Sequence, residues 1–233
     1  MENKTIKYFK YAIGEILLVM VGILLALQVN NWRDNILTKK QEVKSVRLLI
    51  RDLKADKEEL EIFRKILETD ERSMKKLLLE IKNNENQDSI LKYIRPALRS
   101  YLYRPSYPTY KSLVNNNNLG IISDDMVRDS IISYFDGTIT YLENLLEKYN
   151  NDFENASEAM KTYIGFEVKG DSSWAFTSLH NIEALKNDVK TKHYLSDFGA
   201  RNSGLGRRID NIFLPRITET ENLLSTYLSE IAE

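Results

Sequence analysis

The longest hydrophobic run of the chain covers residues 11–29, and from position 16 to position 27 every residue is apolar or glycine. A helix over this run measures about 28 Å, close to the roughly 30 Å hydrocarbon core of a lipid bilayer. Glu15 is the one charged residue within it. The pattern predicts a transmembrane helix over residues 11–32, preceded by a short tail, residues 1–10.

Aromatic residues mark both ends of this predicted span. Tyr8 and Tyr11 flank one end and Trp32 the other, as in the aromatic belts at the two faces of a membrane. A cleaved signal peptide is one alternative, but the run ends in LALQVNNW, without a small-residue cleavage site. A core helix of a soluble protein is the other, although such a helix normally has a polar face. We favour a membrane anchor, with membrane lipid as its surroundings.

One face of the predicted span carries Glu15, Leu18, Gly22, Ala26 and Val29. Glu15, Gly22 and Val29 are spaced by seven, and Gly22 and Ala26 form a small-xxx-small pair that lets two helices approach closely. We therefore predict an oligomerisation seam and a homo-oligomer. Two alternatives stay open for Glu15. It is an interfacial carboxylate on a lone span, which costs less near a span's end than at its centre, or it is a proton or ion site.

Cations on the two sides of the span nearly balance, so the positive-inside rule decides little. Before the span lie Lys4, Lys7 and Lys10, and after it lie Arg33, Lys39, Lys40 and Lys44. A short tail whose lysines abut the span resembles a signal anchor. This favours a cytoplasmic N-terminus and places the rest of the chain in the periplasm.

Beyond the span, the hydrophobic pattern is that of long helices. Residues 23–95 contain neither Gly nor Pro. Apolar residues recur there every seven positions, at Val46, Leu53, Leu60, Leu67, Met74 and Ile81. The alternate positions are mixed, with Lys57, Arg64 and Glu71 standing among Val43, Ile50 and Leu78. This mixture favours packing in a helical bundle over a two-stranded coiled coil.

We predict an all-α fold in which the transmembrane helix continues into a long-helix, mostly antiparallel bundle of residues 33–233. The long helices are expected at about residues 36–83, 124–164 and 190–232. Short helices are expected near residues 90–102 and from Thr109 onward. Ser123, Asp124 and Asp125 form a good helix start. The polar stretch GFEVKGDSSWAFTS is expected to be a loop, and Pro215 is expected to kink the last helix.

Four tyrosines cluster in the stretch YLYRPSYPTY, where Pro105 and Pro108 break the helical pattern. They are Tyr101, Tyr103, Tyr107 and Tyr110. One interpretation is a loop that packs on the bundle. The other is a groove that binds a ligand or a protein partner, and both stay open.

The composition excludes several kinds of chemistry. The 233 residues include no cysteine, which excludes thiol catalysis, disulfides and cysteine-ligated zinc. The net charge of −1 provides no field for nucleic acid. His180 and His193 lack a metal-ligand spacing, and Gly204 and Gly206 are not followed by the G-K-[ST] ending of a phosphate loop. We expect no enzyme, no catalytic or metal-binding residue, no cofactor and no nucleic-acid partner.

Two segments resemble a known family. Residues 8–35 carry the pattern YAIGEI...GI..ALQ.NNW, and residues 109–136 read TYKSLVNNNNLGIISDDMVRDSIISYFD. Both are similar to bacterial single-span membrane proteins, common in Bacteroidota and described only as a domain of unknown function. Where that family often has Gly, this chain has Asn117 or Asn118, which can adopt the same left-handed turn. The resemblance implies an inner-membrane anchor and an all-helical domain, and it supplies no activity.

The function that these patterns favour is a membrane-anchored helical scaffold or protein-interaction module. It would associate with itself through the span and present its bundle to an unidentified protein partner. The alternative is a sensor-like bundle that binds a ligand and acts with a separate output subunit, because an unbroken helix from span to bundle can transmit a shift.

Overall fold

The computed structural model describes residues 2–83, 87–99, 101, 103–169 and 173–232, and of these the side chains of residues 2–13 and 166–177 are left undescribed. Its elements in chain order are α1 (Glu2–Asn83), α2 (Gln87–Ala97), α3 (Pro108–Asn115), a 3₁₀ turn (Leu119–Ile121), α4 (Asp125–Ile132), a first π segment (Ser133–Ile139), α5 (Thr140–Lys161), β1 (Ile164–Lys169), β2 (Ser173–Leu179), α6 (Ile182–Asn187), α7 (Val189–Arg208), a second π segment (Ile209–Phe213) and α8 (Leu214–Ile231). The prediction of an all-α helical bundle with one long apolar N-terminal helix is confirmed.

Two heptad columns of α1 face the core. The first column is the predicted one, and its six residues are at most 1 % exposed: Val46, Leu53, Leu60, Leu67, Met74 and Ile81. The second column lies four residues earlier and is at most 5 % exposed: Glu42, Leu49, Asp56, Phe63, Asp70 and Leu77. The mixed column of alternate positions is therefore not the second buried column. Its residues Lys57, Arg64 and Glu71 lie at the partly exposed edge of the buried face, because alternating steps of four and three select the column of Glu42 instead.

Helices α7 and α8 run antiparallel to α1. Gly199 of α7 lies against Met74, far from the span, whereas Tyr227 of α8 donates a hydrogen bond to Glu42, near the span. A Cβ at position 199 would come within 2.9 Å of Met74 Cγ. The glycine therefore permits a close approach of α7 to α1.

The core consists of two adjoining clusters arranged along α1. Residues 46–53 of α1 pack with α3, α4, the first π segment and α8. Residues 60–81 pack with α2, α5, α6 and α7. Asp56, which is 4 % exposed, lies on α1 at the boundary between the two clusters.

A π segment interrupts each of the two later long helices. The predicted helix over residues 124–164 is α4, the first π segment and α5, and it ends at Lys161. The predicted helix over residues 190–232 is α7, the second π segment and α8. The second π segment ends two residues before Pro215, where a kink was expected. A proline removes one backbone donor, and a local π-helical turn accommodates such a loss.

The chain between α3 and α4 turns through Asn117, whose φ is 51°. Asparagine tolerates this left-handed conformation better than most residues. The prediction that an asparagine takes the left-handed position is confirmed. The predicted start of α4 is also confirmed, since the Asp124 carboxylate accepts a hydrogen bond from the Val127 backbone at 2.9 Å.

The stretch GFEVKGDSSWAFTS was wrongly predicted to be a loop. Strands β1 and β2 pair antiparallel over most of it, with Phe166 opposite Phe176 and Val168 opposite Trp174. Apolar and polar residues alternate on both sides of its centre, which is the period of a strand. The glycines, serines and charges of the stretch concealed this alternation, and the hairpin is an addition to an otherwise helical fold.

Candidate functional site

The apolar part of α1 has no cover from the rest of the chain. All residues from 14 to 41 are exposed, and Glu42 is the first buried one. By length and composition, the described part of α1 from Gly14 onward contains a stretch apolar enough to cross a membrane, with a mean hydropathy of 1.6. It is the one helix of this kind in the described residues.

The predicted seam lies on this uncovered surface. Leu18 is 76 % exposed and Val29 is 63 % exposed, and Glu15 and Ala26 are exposed as well. A Cβ placed on Gly22 would meet no atom within 4 Å. The five seam residues are therefore free to contact lipid or a second chain. Trp32 is 68 % exposed at the far end of the span. The side chains of Tyr8 and Tyr11 lie outside the described ones.

Four buried acidic side chains of α1 form a second feature, which the sequence pattern did not lead us to: Glu42, Asp52, Asp56 and Asp70. Each is at most 6 % exposed. Glu42, Asp56 and Asp70 stand fourteen residues apart, at every second position of the second column. Carboxylates are almost never buried unless they are paired. Acidic residues that repeat at a core heptad position are a signal that the sequence contains.

The four carboxylates bind the chain between α2 and α4. Asp70 Oδ1 accepts a hydrogen bond from Arg99 Nη2 at 2.8 Å, and Asp56 Oδ1 accepts hydrogen bonds from Tyr103 Oη and Ser106 N at 3.1 Å each. Asp52 Oδ2 accepts a hydrogen bond from Thr109 N at 2.9 Å, and Glu42 Oε1 accepts one from Ser123 N at 2.6 Å. Three of these donors are backbone N–H groups. One helix therefore holds the whole segment from residue 99 to residue 123, which we call the strap.

The strap needs these acceptors because its own backbone cannot supply them. Pro105 and Pro108 prevent a continuous helix and leave nearby N–H groups without helical partners. Tyr107, at the N-cap of α3, makes no side-chain cap. Asp52 of α1 takes over that role through Thr109, and a carboxylate at a helix N-terminus is favourable.

The pKa values of three of these carboxylates, Asp52, Asp56 and Asp70, are shifted by burial and by their hydrogen-bond partners. Burial raises the pKa of Asp56 to about 6, although hydrogen bonds from Ser106 and Tyr103 act in the opposite direction. Burial likewise raises the pKa of Asp70 to about 6, against the opposing charge of Arg99. For Asp52 burial also acts upward, but hydrogen bonds from Thr109 and Arg51 outweigh it and lower the pKa.

The four tyrosines of the strap do not meet at one site. Tyr101 and Tyr103 stack on Phe63, with ring centroids 5.7 and 5.3 Å away. Tyr107 and Tyr110 pack on Phe135, at 5.5 and 4.4 Å. Tyr103 and Tyr110 are buried, whereas Tyr101 and Tyr107 are partly exposed. The rings therefore serve in packing, and a ligand or partner has access to Tyr101 and Tyr107 alone among them.

Several polar side chains are buried in the core cluster around residues 60–81 of α1, which we call the distal core. Asp70 Oδ2, Tyr149 Oη and both amide atoms of Asn202 are buried without a hydrogen-bond partner in the described part of the chain. Gly199 of α7 faces Met74 of α1, and Gly206 of α7 faces Arg64 of α1. Asn202 and Asp70 lie between these two contacts along their helices, so they are at a similar height in the bundle. Buried groups of this kind pair with ordered water in native proteins.

The surface clefts are open and shallow. One cleft, of about 450 Å³, lies between α5 and α7 and contains Arg201 and Arg207. Its arginines already have partners, since Arg201 Nε bonds Asp152 at 2.7 Å and Arg207 Nη1 bonds Ser203 at 2.7 Å. Within the described residues, no group of three or more histidine and carboxylate side chains has the arrangement of a metal site.

Comparisons with known proteins place the chain in a family. No curated protein and no solved structure matches it. A family model described as a family of unknown function (DUF6090) matches residues 15–173. The match runs from Glu15 in the span, along all the buried carboxylates and the strap, to the start of β2. Because it covers more than half of the sequence, the chain belongs to the DUF6090 family of unknown function.

Proposed function

We propose that this protein is a membrane-anchored helical scaffold that associates with itself through its span and presents its bundle to a protein partner. The observation that carries the proposal is the course of α1. Its residues 14–41 are exposed, and the same unbroken helix then forms the central column of the bundle. A span continued in this way fixes the bundle at a set height above its anchor.

The uncovered surface of α1 supports the membrane anchor. Residues 16–27 are apolar or glycine on all sides, and each large side chain among them is more than half exposed. A contiguous apolar surface of this kind marks a protein or membrane interaction site. Its length matches a bilayer, so lipid is the environment that covers it outside the seam.

The seam supports self-association within the bilayer. Lipid tails are as apolar as leucine, so helices associate there through close packing and polar contacts. Gly22 and Ala26 offer the close packing, and Glu15 offers a polar contact about two turns before Gly22 and three turns before Ala26. The scaffold explains the structure better than a sensor-like ligand-binding bundle does, because the tyrosines are used in packing and the clefts are open.

Replacing Gly22 with leucine is expected to weaken self-association of the full chain in detergent micelles or nanodiscs by about tenfold or more. The added side chain separates two helices that meet at position 22, and it touches nothing within its own chain. Sedimentation equilibrium measures the effect. Leu24→Phe is the matched control, since position 24 lies about 200° around the helix from Gly22. An unchanged oligomer mass in Gly22→Leu would remove the seam.

The expected topology is a bacterial inner-membrane protein with a cytoplasmic N-terminus and a periplasmic bundle. Single cysteines at Thr5 and Ser225 test it, because the chain has no other cysteine. In intact cells, a thiol reagent that crosses only the outer envelope is expected to label Ser225→Cys and not Thr5→Cys. The parent chain serves as the unlabelled control. Labelling of Thr5→Cys alone would reverse the orientation and move the search for partners to the cytoplasm.

A further inference from the structure

Four cations follow the span on α1 and have no acidic partner. Lys39, Lys40, Lys44 and Arg47 are exposed, and none makes a hydrogen bond or ion pair within the described residues. Many arginines farther along the chain are paired, such as Arg64 with Asp210 at 2.7 Å. These four cations lie within nine residues of one another, in the first turns that follow the proposed membrane anchor.

Three of these cations, Lys39, Lys40 and Arg47, line a groove that also contains apolar side chains. The groove has a volume of 360 Å³ and lies where the end of α8 meets α1. Its lining consists of Ile36, Lys39, Lys40, Val43, Arg47, Ile231 and Ala232. The groove thus combines three positive side chains with aliphatic surface. A phospholipid has the same two parts, an anionic headgroup and an apolar chain.

The groove lies at the height of the lipid headgroups if Trp32 lies at the membrane interface. Lys39 is seven residues beyond Trp32, which is about 10 Å along the helix. Side chains of a helix lean toward its N-terminus, and this direction on α1 points back to the bilayer. Long lysine side chains extend in this way to reach polar surroundings. The ammonium groups of Lys39 and Lys40 therefore approach the headgroup layer.

Acidic groups near the groove do not neutralise it. Asp34 is engaged by Arg33 and Asn30. Glu42 is buried and accepts hydrogen bonds from Ser123 and Tyr227. Two acidic residues remain close to it in sequence, the exposed Glu230 on α8 and Glu233, which follows the lining residue Ala232. The four cations outnumber these two acidic residues, so the charge of the groove and its rim is positive.

We propose that this groove, which we call the juxtamembrane groove, binds the headgroup of an anionic phospholipid from the bilayer that holds the span. This inference rests on the membrane anchor proposed above. Anionic lipid attracts a basic segment that lies within a Debye length of the membrane surface. The bound headgroup then fixes the rotation and tilt of α1, and with them the orientation of the bundle above the membrane.

The test uses the full chain reconstituted in vesicles of about four parts phosphatidylcholine to one part phosphatidylglycerol. The protein is extracted in mild detergent, and the lipid that stays bound is quantified by mass spectrometry. We expect the ratio of phosphatidylglycerol to phosphatidylcholine to be about fivefold higher in the bound lipid than in the vesicle. The enrichment is expected to disappear when glutamine replaces Lys39, Lys40, Lys44 and Arg47.

A matched control separates the groove from total charge. It carries glutamine at four exposed cations far from the span: Lys65, Lys82, Arg95 and Lys148. This control is expected to keep the enrichment, and so is a variant with arginine at Lys39, Lys40 and Lys44. Circular dichroism verifies that each variant is folded. If the fourfold variant does not fold, the paired variants Lys39→Gln with Lys40→Gln and Lys44→Gln with Arg47→Gln replace it, each with partial loss expected.

Three outcomes would overturn the proposal: enrichment that survives neutralisation of the groove, equal loss in the distant control, or no enrichment in the parent chain. A change in oligomer mass without a change in bound lipid would assign the groove to a second copy of the chain instead. Flotation with pure phosphatidylcholine vesicles tests the anchor separately. A chain that floats without lipid preference refutes the groove alone, and a chain that does not float refutes the membrane anchor itself.

Discussion

Truncation of Phe63 to alanine is expected to lower the free energy of unfolding by about 3–5 kcal/mol, one of the two largest effects of a single substitution that we expect in this chain. The Phe63 side chain is fully buried. Its ring stacks on Tyr101 and Tyr103 of the strap and meets Tyr149 of α5 edge-on at 5.8 Å. The substitution removes the shared partner of three aromatic rings, and the rigid helix α1 cannot move to fill the space.

Urea unfolding of the full chain in detergent, followed by far-UV circular dichroism, measures this loss. Ile62→Ala is the matched control, because it removes an aliphatic side chain from the neighbouring position, which is 51 % exposed. The control is expected to change stability by about 0.5 kcal/mol or less. A loss below about 1 kcal/mol in Phe63→Ala would show that the strap packs on α1 independently of this ring.

The hydrophobic pattern along α1 predicts one of its two buried columns and misses the other, which contains Phe63. Apolar residues that recur every seven positions from Val46 to Ile81 specify one buried column, and the structure buries all of it. The second column escaped because three of its six residues are acidic. An analysis that leaves Asp56 and Asp70 on the surface places the second column one residue later, at the positions of Lys57, Arg64 and Glu71. Tertiary partners override that rule here, because the strap brings donors to each carboxylate.

Predictability also differs between the two halves of the candidate site. The seam from Glu15 to Val29 follows from spacing on one helix, and a single helix is enough to define it. The partners of Asp52 and Asp56 lie about fifty residues away along the chain. Local spacing carries no information about contacts at that distance. The hairpin was missed for another reason, since strand and loop signals compete within a few residues there.

The buried carboxylates also explain how the strap is connected to the proposed anchor. Glu42 is the first buried residue after the span, and it joins the start of α4 and the end of α8 to α1. Asp52, Asp56 and Asp70 continue these links toward the distal core. A rotation of α1 in the membrane would therefore be passed to the strap through polar contacts of fixed geometry. Phospholipid at the juxtamembrane groove would act on the same helix, directly below the first of these contacts.

Removal of the Arg99 side chain, in Arg99→Met, is expected to lower the free energy of unfolding by about 3 kcal/mol at about pH 7.5. Asp70 is fully buried, and its Oδ1 is 2.8 Å from Arg99 Nη2. Its Oδ2 has no hydrogen-bond partner in the described part of the chain. Arg99 is thus the group that compensates the buried charge. The expected loss is at the lower end of the range for buried pairs because Arg99 is itself 46 % exposed.

The pH dependence of this loss has a definite sign. Burial raises the pKa of Asp70 from 3.8 to about 6 in the folded protein. The stability that protonated Asp70 contributes is fully present below the unfolded pKa and is lost as the pH rises from about 4 to about 6. Without Arg99 the folded pKa rises further, so this decline continues to higher pH. Parent and variant are therefore expected to differ by only about 1 kcal/mol at about pH 5, where both carry a protonated Asp70.

Two further variants decide whether Asp70 is the cause. Asp70→Asn combined with Arg99→Met removes the buried charge and is expected to recover most of the lost stability at about pH 7.5. Arg95→Met, which removes an exposed arginine four residues earlier in α2, is expected to change stability by about 0.5 kcal/mol or less at every pH. Urea unfolding at a series of pH values measures all four proteins. A loss in Arg99→Met that stays constant with pH would mean that Arg99 acts through packing of its side chain on α1, and that the charge of Asp70 contributes nothing to it.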